Sequence, residues 1–200
     1  MKKSKIKNGR AKQKYQTRLD ILDAAKALMK EEKKITLEDV AKKANISRAT
    51  VYRYYSNIDL LFTEATLDLH HKSSDQIYDQ VKGLKFTERI LFIQKHYTEL
   101  ALKNETVFRR YLSAVLSESI ITKEQLRGAR RVKSLNKALE TYKDEFTKSD
   151  FKKLIDISSV LMGIDATIAC KDVCNLDDKE TEDTLRWAME MILKGMSLEK

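Results

Sequence analysis

Apolar residues return along this chain at steps of three and four, the period that puts them on one face of an α-helix. Ile21, Leu22, Ala25, Leu28 and Met29 mark a first helix from Thr17 to about Lys30, and Leu37, Val40, Ala41 and Ala44 mark a second that opens at Thr36. A third begins after Ser47 and needs only Val51 and Tyr55 on its buried side. Asn57 is the expected N-cap of a fourth, which runs through Leu60, Leu61, Ala65 and Leu69 towards His70 and His71. The polar stretch from Ser73 to Phe86 contains Gly83 and reads as a linker or short helix. Longer helices follow over Thr87–Lys103, Glu105 to about Ile120, and Thr122 to about Phe146; two more are expected from Ser149 to about Lys171 and from about Asp178 to Gly195.

Composition agrees with the spacing. The 200 residues include no proline and only five glycines, so long helices are favoured and the predicted class is all-α. A hydrophobic share of 42% is enough for one large domain or two small ones. Net charge is +9, and its placement matters more than its size. Met1 to Leu60 holds 16 Lys and Arg against 7 Asp and Glu, whereas the remaining residues balance at 23 of each. A polyanionic partner is therefore expected for the N-terminal part.

The stretch from Thr36 to Tyr55 reads as a helix-turn-helix. Thr36 can cap the first of the two helices with Asp39 three residues on, and Asn45 tolerates the left-handed backbone that a sharp turn demands. Ile46 fills the turn and Ser47 caps the second helix. With Val51 and Tyr55 turned inward, Arg48, Ala49, Thr50, Tyr52, Arg53 and Tyr54 are left outward on a short polar helix. Such a surface suits a major groove: arginine reaches guanine O6 and N7, alanine and threonine methyls meet a thymine methyl, and tyrosine hydroxyls reach phosphate oxygens. A solvated helix in another three-helix packing unit is the plainer reading of the same residues.

TLEDVAKKANISRATVYRYY, with LDILDAAKALM before it, resembles the DNA-binding domain of the TetR (tetracycline-repressor-like) transcriptional regulators. The resemblance covers about the first third of the chain; RGARR (Arg127–Arg131) and GIDATIACKDV (Gly163–Val173) also look like a common bacterial subgroup. It implies a helix-turn-helix domain over 17–62 and a helical regulatory and dimerisation domain over 63–200; ahead of them the charge and the near lack of apolar residues give a disordered basic arm over 1–16. The resemblance also implies a double-stranded DNA partner, with Thr36, Ser47, Arg48, Ala49, Thr50, Tyr52, Arg53 and Tyr54 as DNA-binding residues. Three departures stand out. Asn45 replaces the usual turn glycine, KEEKKI lacks the glycine that ends the first helix in relatives, and Ile58 replaces a basic residue that touches phosphate in many of them.

The arm, Met1 to Arg18, has eight Lys and Arg and no acid, and serves either as a solvated leader or as a strand along the DNA backbone or minor groove. It lacks the apolar segment of a secretory signal, and no run of 18 apolar residues exists, so a cytoplasmic protein without a membrane partner is expected. In the 149–171 helix, Leu154, Ile157, Leu161, Ile164 and Ile168 form a bulky seam opposite the small Ser159, Gly163, Ala166 and Cys170. In the last helix, Leu185, Ala188, Met189, Ile192 and Met196 form one side while Trp187 and Met191 point elsewhere. Two helices with two apolar sides suit a four-helix homodimer interface, or else a larger monomeric core; the resemblance favours the dimer.

No catalytic apparatus is visible. The three histidines form no HExxH pair or triad, no glycine-rich phosphate loop occurs, and Cys170 and Cys174 lack further metal ligands. These two read as buried thiols, with a redox switch as the alternative. The expectation is a non-enzyme without metal or cofactor. The resemblance implies a small-molecule effector site between the middle helices, for which His96, Tyr97, Phe108 and Tyr111 are the candidates. Arg127, Arg130 and Arg131 share a face that holds an anion or, more simply, is solvated or salt-bridged. The rival to a regulator is a helical ligand-binding or enzymatic domain whose basic N-terminus binds nucleic acid without choosing sequence.

Overall fold

The computed structural model describes residues 2–29, 34–122 and 129–198. Eleven α-helices, and no strand, occur among them: α1 (Lys2–Leu28), α2 (Leu37–Ala44), α3 (Arg48–Tyr54), α4 (Ile58–His70), α5 (Ser74–Val81), α6 (Phe86–Lys103), α7 (Glu105–Thr122), α8 (Arg130–Leu139), α9 (Lys148–Val160), α10 (Ile164–Ile168) and α11 (Asp178–Leu198). The class is all-α. The chain divides into two compact units, Met1–His70 with Arg110–Glu124, and His71–Arg109 with Gln125–Lys200.

In the N-terminal unit α1 packs on α2 and α4, and α2 on α3. The apolar residues that carry the helical period are the ones that meet: Ile21, Leu22, Ala25 and Leu28 of α1, Leu37, Val40 and Ala41 of α2, Val51 of α3, Tyr55, and Leu60, Leu61 and Ala65 of α4 are all buried. Ala44, expected on the same face of α2, is only half-buried at the end of its helix. The three-residue link from α2 to α3 depends on Asn45, which sits in the left-handed region at φ 54° and ψ 43° and turns its N–H back onto the last carbonyls of α2. Asn45→Ala should cost about 1 kcal/mol, because a β-carbon without a local polar partner is strained there, and Asn45→Gly should be tolerated. Paired thermal melts check this.

One expectation fails here. The arm expected to be disordered over 1–16 is helical from Lys2, because α1 extends back without a break. Lys, Arg, Gln and Ala are good helix formers, and lengthening a helix already anchored at Ile21 and Leu22 avoids the cost of nucleating a new one.

The C-terminal unit gathers α5, α6, α8, α9 and α11 around Ile77, Val81, Ile90, Ile93, Leu135, Leu139, Leu154 and Met189. The segment left as linker or short helix contains α5, set by a Ser73–Gln76 capping box. Of the helix expected from Thr122 to Phe146, the described part is α8 followed by a 3₁₀ turn over Glu140–Glu145, while Arg127 lies outside the described residues.

The helix expected over 149–171 is broken. α9 ends at Val160, α10 starts at Ile164, and a π-helical turn occupies Ala169–Val173. Between them Gly163 takes φ 76° and ψ −166°, a backbone state in essence reserved for glycine. The turn lets Arg131 of α8 donate to the Met162 carbonyl and, at 2.9 Å, to Asp165. Arg131 is thus part of an internal brace instead of an open anion seat. The seam does not survive either: Leu154 and Ile164 are buried, but Ile157 is exposed. Cys170 is buried and Cys174 exposed, so the pair of buried thiols is corrected to one.

Candidate nucleic-acid interface

Local chemistry sets up both helices of the motif. Thr36 accepts from the Asp39 N–H at 3.3 Å while the Asp39 carboxylate accepts from the Thr36 N–H at 3.0 Å, which closes the capping box at the start of α2. Ser47 accepts from the Thr50 N–H at 3.2 Å, and the two hydroxyls lie 2.8 Å apart, so α3 starts with two hydroxyls at its positive end. Val51 and Tyr55 anchor α3 from beneath.

Arg48, Ala49, Tyr52 and Arg53 are exposed, and Thr50 and Tyr54 half-buried. Thr50 and Tyr54 edge an open cleft of about 470 Å³, whose other walls include Arg53 of α3 and Gln13, Lys14 and Thr17 of α1. The Tyr54 hydroxyl donates to the Lys14 carbonyl at 3.2 Å, tying α3 to α1, and the Arg53 guanidinium lies 5.8 Å from the Tyr54 ring centre. Hydroxyl groups and cations thus border one concave surface, the arrangement that seats a phosphate backbone beside a reading helix.

Two further groups went unnoticed in the sequence. Glu38 of α2 accepts from Arg48 Nη2 at 3.1 Å and from the Tyr52 hydroxyl at 2.8 Å, both through Oε1. The Tyr52 hydrogen bond, more than the Arg48 charge, holds the Glu38 carboxyl below its usual range. Beneath the motif, Arg18 of α1 forms a two-pronged ion pair with Glu64 of α4, at 2.9 Å from Nε and 2.5 Å from Nη2. Tyr55 donates its hydroxyl to the same carboxylate at 3.1 Å, with the Arg18 guanidinium 5.4 Å from its ring centre. Burial pushes the Tyr55 hydroxyl far up, and the Glu64 charge pushes it further. A second bond, Lys26 to Asp68 at 2.7 Å, repeats the α1–α4 link two turns along α1 and one turn along α4. The sequence did carry a signal for Glu64: it stands inside the apolar stripe of α4 beside Leu60, Leu61 and Ala65, where a carboxylate requires a partner.

The expected effector residues divide between the units. His96, Tyr97 and Phe108 belong to the C-terminal unit, where the His71 ring lies 5.9 Å from Tyr97 and 6.0 Å from Phe108, and His96 lies 5.3 Å from Tyr97. The Tyr97 hydroxyl shares a hydrogen bond of 2.9 Å with Ser134, whereas His96 Nε2 is buried without a hydrogen-bond partner among the described residues. Burial, then the charge of Lys72, pushes the His96 pKa down, favouring the neutral ring. Tyr111 falls in the N-terminal unit, where its field acts on Arg18 and Tyr55. Among the described residues no group of three acidic, histidine or cysteine side chains is placed to hold a metal, and no helix is long and apolar enough to cross a membrane.

No curated protein and no solved structure gives a significant match to this chain. The model of the bacterial regulatory proteins of the tetR family does match, over residues 21–65, the span from the buried half of α1 through the reading helix to Ala65 of α4. With the capped helix-turn-helix that it covers, the match gives residues 21–65 as a DNA-binding domain of the tetR type, and so a helix-turn-helix transcription regulator.

Proposed function

We propose that the protein is a homodimeric repressor that binds a roughly palindromic operator in the cytoplasm and is released by a small molecule, without enzymatic activity of its own. The observation that carries the reading is α3 itself, which turns Arg48, Tyr52 and Arg53 outward on a helix fixed from below by Val51 and Tyr55. Arg48, Thr50 and Ala49 face the base edges; Thr36, Ser47, Tyr52, Arg53 and Tyr54 face phosphates. Arg48→Ala should reduce the preference for operator over scrambled duplex by about tenfold, with an unchanged thermal melt. Titration of both duplexes checks this, and an unchanged preference would remove Arg48 from the reading set.

Dimerisation is supported by α9 and α11, the two helices expected to pair with a second copy. Val160 and Trp187 are 61% and 62% exposed, and Ile157 and Met191 are exposed beside them. Four large apolar side chains turned to solvent on two helices in contact through Ser158 and Met189 suit a second copy of the same face. A dimer would hold two reading helices about 34 to 36 Å apart, one turn of duplex. The cluster of His96, Tyr97 and Phe108 around His71 is the effector site we favour in the C-terminal unit, with Tyr111 as the remaining candidate. An effector that prefers a conformation with another spacing lowers operator affinity by the same coupling factor.

A further inference from the structure

We propose that Glu38 is a specificity-determining residue, an internal counter-anion that occupies the donors of Arg48 and Tyr52 until DNA replaces it, a base edge at Arg48 and a phosphate at Tyr52. The inference rests on the DNA-reading function of α3 proposed above.

One oxygen of the Glu38 carboxylate takes both bonds, from a guanidinium and a phenol four residues apart on α3. These are neighbouring positions on one helix face, so a single acceptor on α2 spans them. The Arg48 side chain is 71% exposed and that of Glu38 is 29% exposed, which places the pair at the surface that would meet DNA. A carboxylate at such a surface repels a phosphate backbone. Turned onto Arg48, it also removes one cation from the set available for phosphate contacts. Binding to an arbitrary sequence draws its affinity from those contacts and from the counterions they release. Each encounter with the wrong sequence must then break the Glu38 bonds for a phosphate contact that the carboxylate itself weakens. A matching site offers Arg48 the paired acceptors of guanine, a stronger replacement for the lost ion pair. Glu38 thus penalises binding to arbitrary DNA more than binding to the operator.

The test compares wild type, Glu38→Gln, Arg48→Ala and the double variant, each titrated with the operator duplex obtained by selection and with a scrambled duplex, over a range of salt. Glu38→Gln keeps an oxygen that can accept from Tyr52 and removes only the charge. It should bind the scrambled duplex about three- to fivefold more tightly, the scale of an exposed ion pair, and the operator less than twofold more tightly. The salt slope on scrambled DNA should steepen by about one, as one more phosphate contact forms. In the Arg48→Ala background the same change should have a much smaller effect, equal on both duplexes, since only the carboxylate's own repulsion of phosphates is left to remove. Equal tightening on both duplexes, or the same gain without Arg48, would reduce Glu38 to general repulsion and overturn the proposal, as would no change at all. A wild type that selects no sequence would defeat the DNA-reading function itself, a separate outcome.

Discussion

Glu64→Ala should destabilise the N-terminal unit by about 3 kcal/mol and abolish operator binding at temperatures where the wild type is fully active. The variant leaves the Arg18 guanidinium, whose side chain is 18% exposed, without its carboxylate, and leaves the buried Tyr55 hydroxyl without its acceptor. A buried charge that loses its partner costs more than the pair contributed, because desolvation remains while the attraction is gone. Tyr55 follows directly on α3, so the loss reaches the reading helix at its C-terminal end. Arg18→Met combined with Glu64→Leu should recover most of the stability, since an apolar pair of similar volume avoids stranding a charge. Thermal melts of the three proteins decide the matter. A double variant no more stable than Glu64→Ala would mean that the ion pair, and not the stranded charge, governs this site.

Gly163→Ala is the second large effect, expected to lower the stability of the C-terminal unit by about 3 kcal/mol. Its φ of 76° with ψ near −166° is unfavourable for any side chain, and an added β-carbon would stand 3.2 Å from Arg131 Nη1. Relief of that contact would require Arg131 to move, which would disturb its bonds to the Met162 carbonyl and Asp165. Gly195→Ala is the matched control. It lies inside α11 with open space around it, and alanine there should be neutral or stabilise by up to about 1 kcal/mol. Urea melts of both variants test the contrast; equal stability would show that the break after α9 carries no strain.

These two positions also show why part of the fold was hidden in the residues. Leu154, Ile157, Leu161, Ile164 and Ile168 keep a helical spacing straight across Gly163, so periodicity alone runs one helix through a point where the chain turns. The small residue read as a place for close helix approach is in fact a backbone requirement. The N-terminal lysines mislead in the opposite sense, because a stretch too polar to make a core can still propagate a helix that begins elsewhere. Where structure is decided by neighbours in sequence, the reading held. The Thr36–Asp39 box, Asn45 at positive φ, the Ser47 cap and the burial of Val51 and Tyr55 are all local chemistry. Glu38 and Arg18 were invisible for a related reason: their partners lie 10 and 46 residues away, and only packing brings them together.

The most direct test of a dimeric, sequence-reading regulator is selection from a randomised duplex pool at about 150 mM salt, where contacts to phosphate alone are weakened, followed by sequencing of the bound fraction. The account predicts an enriched inverted repeat whose half-sites are centred about 10 base pairs apart, or a small variation on one helical turn. Tight binding with no enriched sequence would contradict it, leaving a basic module that holds nucleic acid without choosing where.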